Sequence, residues 1–95
     1  MRVEGSKILI TGGARGLGRA LVEGFLQDGA EIAVFEKDTS ACEMLLQDFF
    51  GKVKAWECDV SDSVLVEKAV CLARESGFEP DILINNAGIT HSEPL

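Results

Sequence analysis

The residues with the clearest chemical signal in this 95-residue chain are the glycines of the segment 12–18. Gly12, Gly16 and Gly18 follow a short apolar run and precede a stretch with helical spacing of apolar residues. Glycines allow a tight turn and let a ligand approach where a Cβ would block it. A helix that begins here directs its free N–H groups and the positive end of its dipole at the same opening. The segment therefore predicts a binding site for a diphosphate.

The spacing of these glycines separates several classes of nucleotide site. It is Gly-x-x-x-Gly-x-Gly, whereas the general dinucleotide fingerprint is Gly-x-Gly-x-x-Gly. Gly13 and Gly18 have the separation found in a P-loop, but Arg19 and Ala20 stand where a P-loop has lysine and then serine or threonine. The sequence thus argues against an NTPase. Taken alone, the glycines fit a purely structural turn as well as a ligand site.

Other chemically distinctive residues follow three further strand-like segments. Glu36 ends a second apolar run, and Asp59 with Val60 follows a segment of mixed polarity. Residues 85–88, with the sequence Asn-Asn-Ala-Gly, follow a fourth run. Each has a structural alternative, because Asp59 is also typical of a helix start and asparagines at a strand end are typical turn formers.

Four strand-like segments alternate with three helical ones. Strands are predicted at 7–11, 32–35, 52–58 and 81–84, and the helices between them end at Gly29, Gly51 and Gly77. This alternation predicts a parallel sheet with right-handed crossovers. Two crossovers in one direction and then a reversal give the strand order 3-2-1-4, with the first two helices on one face. The sequence thus predicts an α/β fold, a doubly wound parallel sheet in a single domain of residues 1–95, with a ligand crevice between strands 1 and 4.

Three details refine this arrangement. Thr39 or Ser40 is expected to cap the second helix, with Ser40 and Glu43 in capping-box spacing. Gly24, inside the first helix, is expected to pack closely on the sheet, since glycine costs about 1 kcal/mol there relative to alanine. The third strand carries interleaved polar residues and is expected near the margin of the sheet.

The segment Thr11-Gly12-x-x-x-Gly16-x-Gly18 resembles the cofactor motif of the short-chain dehydrogenases/reductases. Asp59-Val60 and Asn85-Asn86-Ala87-Gly88 resemble two further motifs of that family, in the same order. Extended relatives such as sugar epimerases would need a glycine where this chain has Arg15. The resemblance covers essentially the whole chain, and it implies a Rossmann-like fold that binds a nicotinamide dinucleotide.

The resemblance also implies roles for individual residues. Asp59 and Val60 would hold the adenine ring, Asn86 would lie against a ribose, and the Thr11 hydroxyl would brace the Asn-Asn-Ala-Gly segment. The cofactor-binding residues are therefore expected to be Gly12, Ala14, Arg15, Gly16, Leu17, Gly18, Glu36, Asp59, Val60, Asn86, Ala87 and Gly88. No metal ligand is expected.

The residues around Glu36 decide between NAD and NADP. An acidic side chain about 20 residues past the glycines accepts hydrogen bonds from the ribose 2′-hydroxyl, and it would repel a 2′-phosphate. Arg15 and Lys37 oppose this, because both are cations that would pair with that phosphate. The direct carboxylate contact should outweigh them, so the sequence predicts NAD in preference to NADP.

Family members transfer hydride with a serine, a tyrosine and a lysine that follow the Asn-Asn-Ala-Gly motif. This chain contains no tyrosine and runs only to Leu95, so no catalytic residue is assigned. Two hypotheses remain. The chain is the cofactor-binding part of an oxidoreductase acting on a secondary alcohol or carbonyl, with a 3-oxoacyl-carrier-protein reductase as one candidate, or it is a non-catalytic nucleotide-binding module. The end after Glu93 and Pro94, with no closing helix, favours a fragment of an enzyme that is expected to be a homo-oligomer.

Composition excludes several other classes of partner. The net charge of −7 argues against nucleic acids and anionic membrane surfaces, which both require a basic face. No apolar run approaches the ~20 residues of a membrane-spanning helix. The three cysteines have no metal-type spacing. These features predict a cytoplasmic protein.

Overall fold

The computed structural model describes residues 3–86. They form four strands and three helices in strict alternation: β1 (Lys7–Thr11), α1 (Gly16–Gln27), β2 (Glu31–Glu36), α2 (Thr39–Asp48), β3 (Val53–Glu57), α3 (Ser63–Glu75) and β4 (Ile82–Ile84). All strand pairs are parallel, and the order in the sheet is β3-β2-β1-β4. The predicted α/β fold and strand order are confirmed.

The two faces of the sheet carry separate cores. Alternate strand residues such as Ile8 and Val34 pack against α1 and α2 through Val22 and Leu45. Their neighbours along the strands, including Leu9, Ala33 and Phe35, pack on the other face against Ala69 and Ala73 of α3. Both faces of β1 and β2 are therefore covered, which explains why these strands read as continuous apolar runs.

Two aspartates begin the second and third helices. Asp38 Oδ1 accepts hydrogen bonds from the N–H groups of Ser40 (2.9 Å) and Ala41 (3.2 Å). Asp62 Oδ1 does the same for the N–H groups at 64 (2.9 Å) and 65 (3.3 Å) in α3. The prediction that Thr39 or Ser40 caps α2 is wrong, because both residues already lie inside the helix and a carboxylate one position earlier accepts the free N–H groups.

The expectation for Gly24 is also wrong. A Cβ at this position would meet nothing within 4 Å, and the residue is exposed on the solvent side of α1. The placement of β3 at the edge of the sheet is confirmed. Its Trp56 is half-buried and meets the Phe35 ring edge-to-face at 6.3 Å between centroids.

The start of β4 is fixed by a residue just outside the strand. The Asp81 carboxylate accepts a hydrogen bond from Lys7 N (2.9 Å), and Asp81 N donates to Lys7 O (2.8 Å). These contacts hold β4 in register beside β1, so that Ile8 pairs with Ile82 and Ile10 with Ile84. None of the helices within residues 3–86 has both the length and the apolar character that crossing a bilayer requires.

Candidate dinucleotide-binding site

The predicted site residues within 3–86 lie at the carboxyl ends of the strands, because parallel strands end on the same side of the sheet. Two hydrogen bonds continue the ladders past the strand ends and hold the loops together. Gly12 N donates to Phe35 O (2.8 Å), and Cys58 N donates to Glu36 O (2.9 Å). The glycine loop after β1, the acid that ends β2 and the loop after β3 therefore adjoin one another.

Gly18 occupies the most restricted point of the glycine loop. A Cβ there would lie 2.5 Å from Asn86 Nδ2 and 2.9 Å from the Gly12 carbonyl carbon, and closer still to the Gly12 carbonyl oxygen. Gly12 itself has φ 67°, a left-handed conformation that favours glycine. The loop and α1 thus approach more closely than any residue with a side chain at position 18 allows.

Asn86 is the polar residue that this close packing encloses. Its side chain is fully buried, and Nδ2 donates a hydrogen bond to Gly12 O (3.0 Å). Its Oδ1 is buried without a hydrogen-bond partner among residues 3–86. Beside it, Thr11 Oγ1 donates to Asn85 Oδ1 (2.9 Å), which is the brace that the resemblance implied. The two asparagines thus tie the end of β4 to the glycine loop.

The first turn of α1 differs from those of the other two helices. Its N-cap residue is Arg15, which forms no side-chain capping hydrogen bond, although its first turn, like those of the other two helices, contains no acidic residue. The N-caps of α2 and α3, Asp38 and Asp62, both accept two backbone N–H groups. Gly16, at the start of α1, is exposed and has open space where a Cβ would project. An anion at this opening would meet free N–H groups, the positive end of the helix dipole and no carboxylate from the helix.

A second group of charges lies beyond β2. The Glu36 carboxylate is half-buried and accepts a hydrogen bond from Asp38 N (3.2 Å). The carboxylate of Asp38 forms an ion pair with the Arg15 guanidinium, across from the glycine loop. Hydrogen bonds from Ala41 N and Ser40 N, together with Arg15, hold the pKa of Asp38 below its usual value despite some desolvation. Arg15, expected to face a phosphate, is instead bound to a carboxylate.

Asp59 is held by its own loop. Its carboxylate accepts hydrogen bonds from the Ser61 hydroxyl (2.7 Å) and from Ser61 N (3.0 Å). These two bonds, with a smaller contribution from the Lys37 charge, lower the pKa of Asp59. The alternative that Asp59 caps the helix is wrong, since Asp62 is the N-cap of α3. Asp59 remains half-buried at the loop after β3.

The remaining predicted residues differ in accessibility. Ala14 is buried, so only its backbone would be available to a ligand. Leu17 and Val60 are exposed apolar side chains at the loops after β1 and β3. Ala87 and Gly88 lie outside the described residues. The described part of the predicted set therefore lies on the loops at the carboxyl edge of the sheet.

A family model described as short chain dehydrogenase matches residues 6–95. The chain belongs to the short-chain dehydrogenase family. The resemblance found in the glycine, Asp-Val and Asn-Asn-Ala-Gly motifs is thereby confirmed.

Individual relatives match most or all of the chain. It is 32% identical over 95 residues to a sorbitol dehydrogenase of Cereibacter sphaeroides, covering 100% of this chain and 37% of that protein. It is 35% identical over 94 residues to a 3-oxoacyl-[acyl-carrier-protein] reductase of Chlamydia pneumoniae, covering 96% of this chain and 38% of that protein. The crystal structure of a 3-ketoacyl-(acyl-carrier-protein) reductase from Brucella melitensis complexed with NADH matches with a TM-score of 0.77 and 30% identity. This match covers 85% of this chain and 34% of the reductase. The chain thus spans little more than a third of each of these relatives.

The residues of this short-chain dehydrogenase fit a nicotinamide dinucleotide. The uncapped start of α1 and the open space at Gly16 suit a diphosphate. The buried Asn86 Oδ1 is an acceptor that has no hydrogen-bond partner within residues 3–86. The acid at the end of β2 suits a ribose hydroxyl. When bound, such a cofactor supplies a hydride donor or acceptor.

Sequence reasoning missed two acidic residues at this site, Asp38 and Glu57. Glu57 is the register partner of Glu36, and its carboxylate accepts a hydrogen bond from Thr39 Oγ1 (2.5 Å). Asp38 carried a signal, since an aspartate directly before a helical stretch is a favoured N-cap. Glu57 carried none, because the end of β3 could not be located closely enough from a strand of mixed polarity.

Proposed function

We propose that this chain is the dinucleotide-binding part of a short-chain dehydrogenase that prefers NAD(H) to NADP(H). Residues 1–95 would form one domain of the enzyme. The observation that carries the proposal is the half-buried Glu36 carboxylate at the end of β2, adjacent to the glycine loop. The reaction would move a hydride between the nicotinamide and a secondary alcohol or a carbonyl, the chemistry that the names of the matched relatives describe.

The diphosphate would lie against the first turn of α1. Free N–H groups there donate to anionic oxygens, and the helix dipole favours negative charge. Gly18 and Gly12 keep the backbone close enough for this contact, and Asn86 fixes the loop from below through Gly12 O. These residues bind and orient the cofactor, and none of them moves a proton.

The adenosine end would lie between the loops after β2 and β3. Glu36 would accept hydrogen bonds from the ribose 2′-hydroxyl, while Asp59 and Val60 would border the adenine ring. A 2′-phosphate would place two negative charges against the Glu36 carboxylate, and such like-charge contacts disfavour binding. NAD(H) is the cofactor with the better electrostatic complementarity.

The oligomeric state and the location of the parent enzyme are proposed from other observations. Its homo-oligomeric state follows from the family resemblance alone. A cytoplasmic location is supported by Cys42, Cys58 and Cys71, which are all free thiols, as is usual in a reducing compartment. A second function, nucleotide binding without catalysis, applies to residues 1–95 taken alone, because they contain no tyrosine.

Calorimetric titration with NADH and NADPH would test the cofactor preference on the full-length gene product that contains this chain. We expect tighter binding of NADH, and we expect Glu36→Gln to narrow the difference. Glu31→Gln is the matched control, because this substitution removes the same charge and Glu31 is exposed at the opposite end of the same strand. Tighter binding of NADPH by the wild type would overturn the proposal.

A further inference from the structure

Arg15 is the cation nearest to the glycine loop, and its position poses a problem for an NAD-preferring site. Its side chain is 69% exposed and lies at the N-cap of α1, directly before the diphosphate-binding turn. A free guanidinium at this place would form bidentate hydrogen bonds to a phosphate. NADP(H) would then gain an interaction that offsets the repulsion from Glu36.

Asp38 prevents Arg15 from binding a phosphate in this way, because the two oxygens of its carboxylate bind different groups. Oδ1 accepts the N–H groups of Ser40 and Ala41 and so caps α2. Oδ2 accepts a hydrogen bond from Arg15 Nη2. The cap fixes the Asp38 side chain to the start of a helix, so the carboxylate is already oriented toward Arg15.

Asp38 is also joined to the residue that would face the ribose. Its backbone N–H donates to Glu36 Oε2 (3.2 Å). Asp38 therefore links the other two residues, because its carboxylate binds Arg15 and its backbone N–H binds the Glu36 carboxylate. Whatever occupies the 2′ position near Glu36 lies next to the Arg15–Asp38 pair.

The buried Cys42 thiol lies close to the carboxylates of this region. Burial and, to a lesser extent, the charges of Glu36, Glu57, Asp38 and Glu43 raise its pKa to about 11. Cys42 Sγ lies 3.5 Å from Glu36 O, so the thiol is in contact with the end of β2. The charged groups that act on this thiol are therefore carboxylates.

We propose that Asp38 is a specificity-determining positioning residue, which excludes NADP(H) by holding the Arg15 guanidinium away from the 2′-phosphate. The inference rests on the proposed preference for NAD(H) and explains how a cation beside the site is compatible with it. Glu36 repels the phosphate directly, and Asp38 occupies the one guanidinium at the glycine loop that would compensate. Lys37, the other nearby cation, is exposed, and its charge acts on Asp59 in the loop after β3.

The substitution Asp38→Asn separates the two tasks of this carboxylate. The Asn amide oxygen still accepts the N–H groups of Ser40 and Ala41, because asparagine caps helices as well as aspartate does. The charge that holds Arg15 is lost. In the full-length gene product we expect NADPH affinity to rise about three- to tenfold, since Arg15 gains a charge-assisted bond to the phosphate, while NADH affinity changes less than about twofold.

Asp62→Asn is the matched control for charge and cap. Asp62 caps α3 with the same two-bond geometry, but within residues 3–86 no ion pair joins it to Arg15. This variant should leave the ratio of NADPH to NADH affinity unchanged. If Asp38→Asn does not fold, Asp38→Ser provides a neutral cap of a different shape and the same expected shift.

The double variant Asp38→Asn with Arg15→Gln tests whether the gain in NADPH affinity depends on the Arg15 guanidinium. Without the guanidinium, the gain in NADPH affinity should disappear, and the gain in the single variant should shrink at high salt. A gain that persists without Arg15, or one that is equal for NADH, would overturn the inference. So would a wild type that prefers NADH while Asp38→Asn leaves its affinity ratio unchanged. A wild type that prefers NADPH would instead overturn the proposed function.

Discussion

The substitution Gly18→Ala tests whether the close contact between α1 and the glycine loop is required. The added Cβ would lie 2.5 Å from Asn86 Nδ2 and 2.9 Å from the Gly12 carbonyl carbon, whereas ordinary van der Waals contacts begin at 3.4 Å. Two of the atoms that it would meet belong to the Gly12 backbone, so no flexible side chain can move aside. The loop must shift away from α1, and Asn86 must give up its hydrogen bond to Gly12 O.

The expected cost combines three contributions. Forcing an additional methyl group into a packed site costs about 1–3 kcal/mol. Leaving the buried Asn86 amide without its partner costs about 1–3 kcal/mol. Alanine is favoured over glycine in a helix by about 1 kcal/mol, which partly offsets both. The free energy of unfolding should therefore fall by about 3 kcal/mol, a large part of the 5–15 kcal/mol typical of a domain.

Two glycines in the same helix serve as controls. Gly24→Ala introduces a Cβ that meets nothing, so we expect a gain of about 0.5–1 kcal/mol from helix propensity and reduced backbone entropy of the unfolded chain. Gly16→Ala also meets nothing, but φ is 54° there, and the left-handed conformation should cost about 1–2 kcal/mol. The three variants thus separate collision, propensity and backbone strain.

Urea unfolding of the full-length gene product would measure the free energies, and titration with NADH would measure cofactor affinity in parallel. Gly18→Ala should weaken NADH binding as well as stability, because the displaced loop carries the proposed diphosphate site, whereas Gly24→Ala should leave binding unchanged. If Gly18→Ala is as stable as Gly24→Ala and binds NADH normally, the close packing inferred here is not required, and the argument from the Gly12 carbonyl is refuted.

Three further outcomes are expected. Iodoacetamide at pH 8 should modify the exposed Cys71 before the buried Cys42, whose pKa is raised to about 11; mass spectrometry that finds Cys42 labelled first would contradict this. The bonds from Ser61 lower the pKa of Asp59, so this carboxylate stabilises the fold above its unfolded pKa and loses that effect as pH falls through the folded value; Ser61→Ala should raise the pKa in an NMR titration, and an unchanged value would contradict the assignment. A polypeptide of residues 1–95 alone should show no dehydrogenase turnover and should associate through β4, where Leu83 is 63% exposed. Nicotinamide absorbance would measure turnover, and analytical ultracentrifugation would measure association. A monodisperse, catalytically active preparation would contradict both expectations.

The sequence was sufficient to predict the order of strands because two simple rules determine it. Continuous apolar runs such as residues 8–10 and 32–35 belong to strands covered on both faces. The handedness of crossovers then leaves few arrangements for four strands. The site followed from the fold, since the ends of parallel strands meet at one edge and every distinctive residue followed a strand.

Side-chain contacts between distant loops could not be predicted in this way. The pairing of Arg15 with Asp38 spans 23 residues, and no periodicity links the two positions. The helix cap also depends on the backbone conformation of each residue, so adjacent candidates at 38, 39 and 40 look alike in sequence. Gly24 was misjudged because the apolar pattern of α1 sets the direction of its buried face only to within about one residue.

The three helix starts nevertheless show why the sequence departs from good helix chemistry at one place. Asp38 and Asp62 satisfy the first turns of α2 and α3, as a stable fold requires. Arg15 leaves the first turn of α1 uncapped, although a polar cap would add about 1 kcal/mol of stability. An aspartate at position 15 would supply that cap, but it would place a carboxylate at the opening where we propose that the diphosphate binds. The missing cap supports that proposal, because a bound cofactor would satisfy the N–H groups that the protein leaves free.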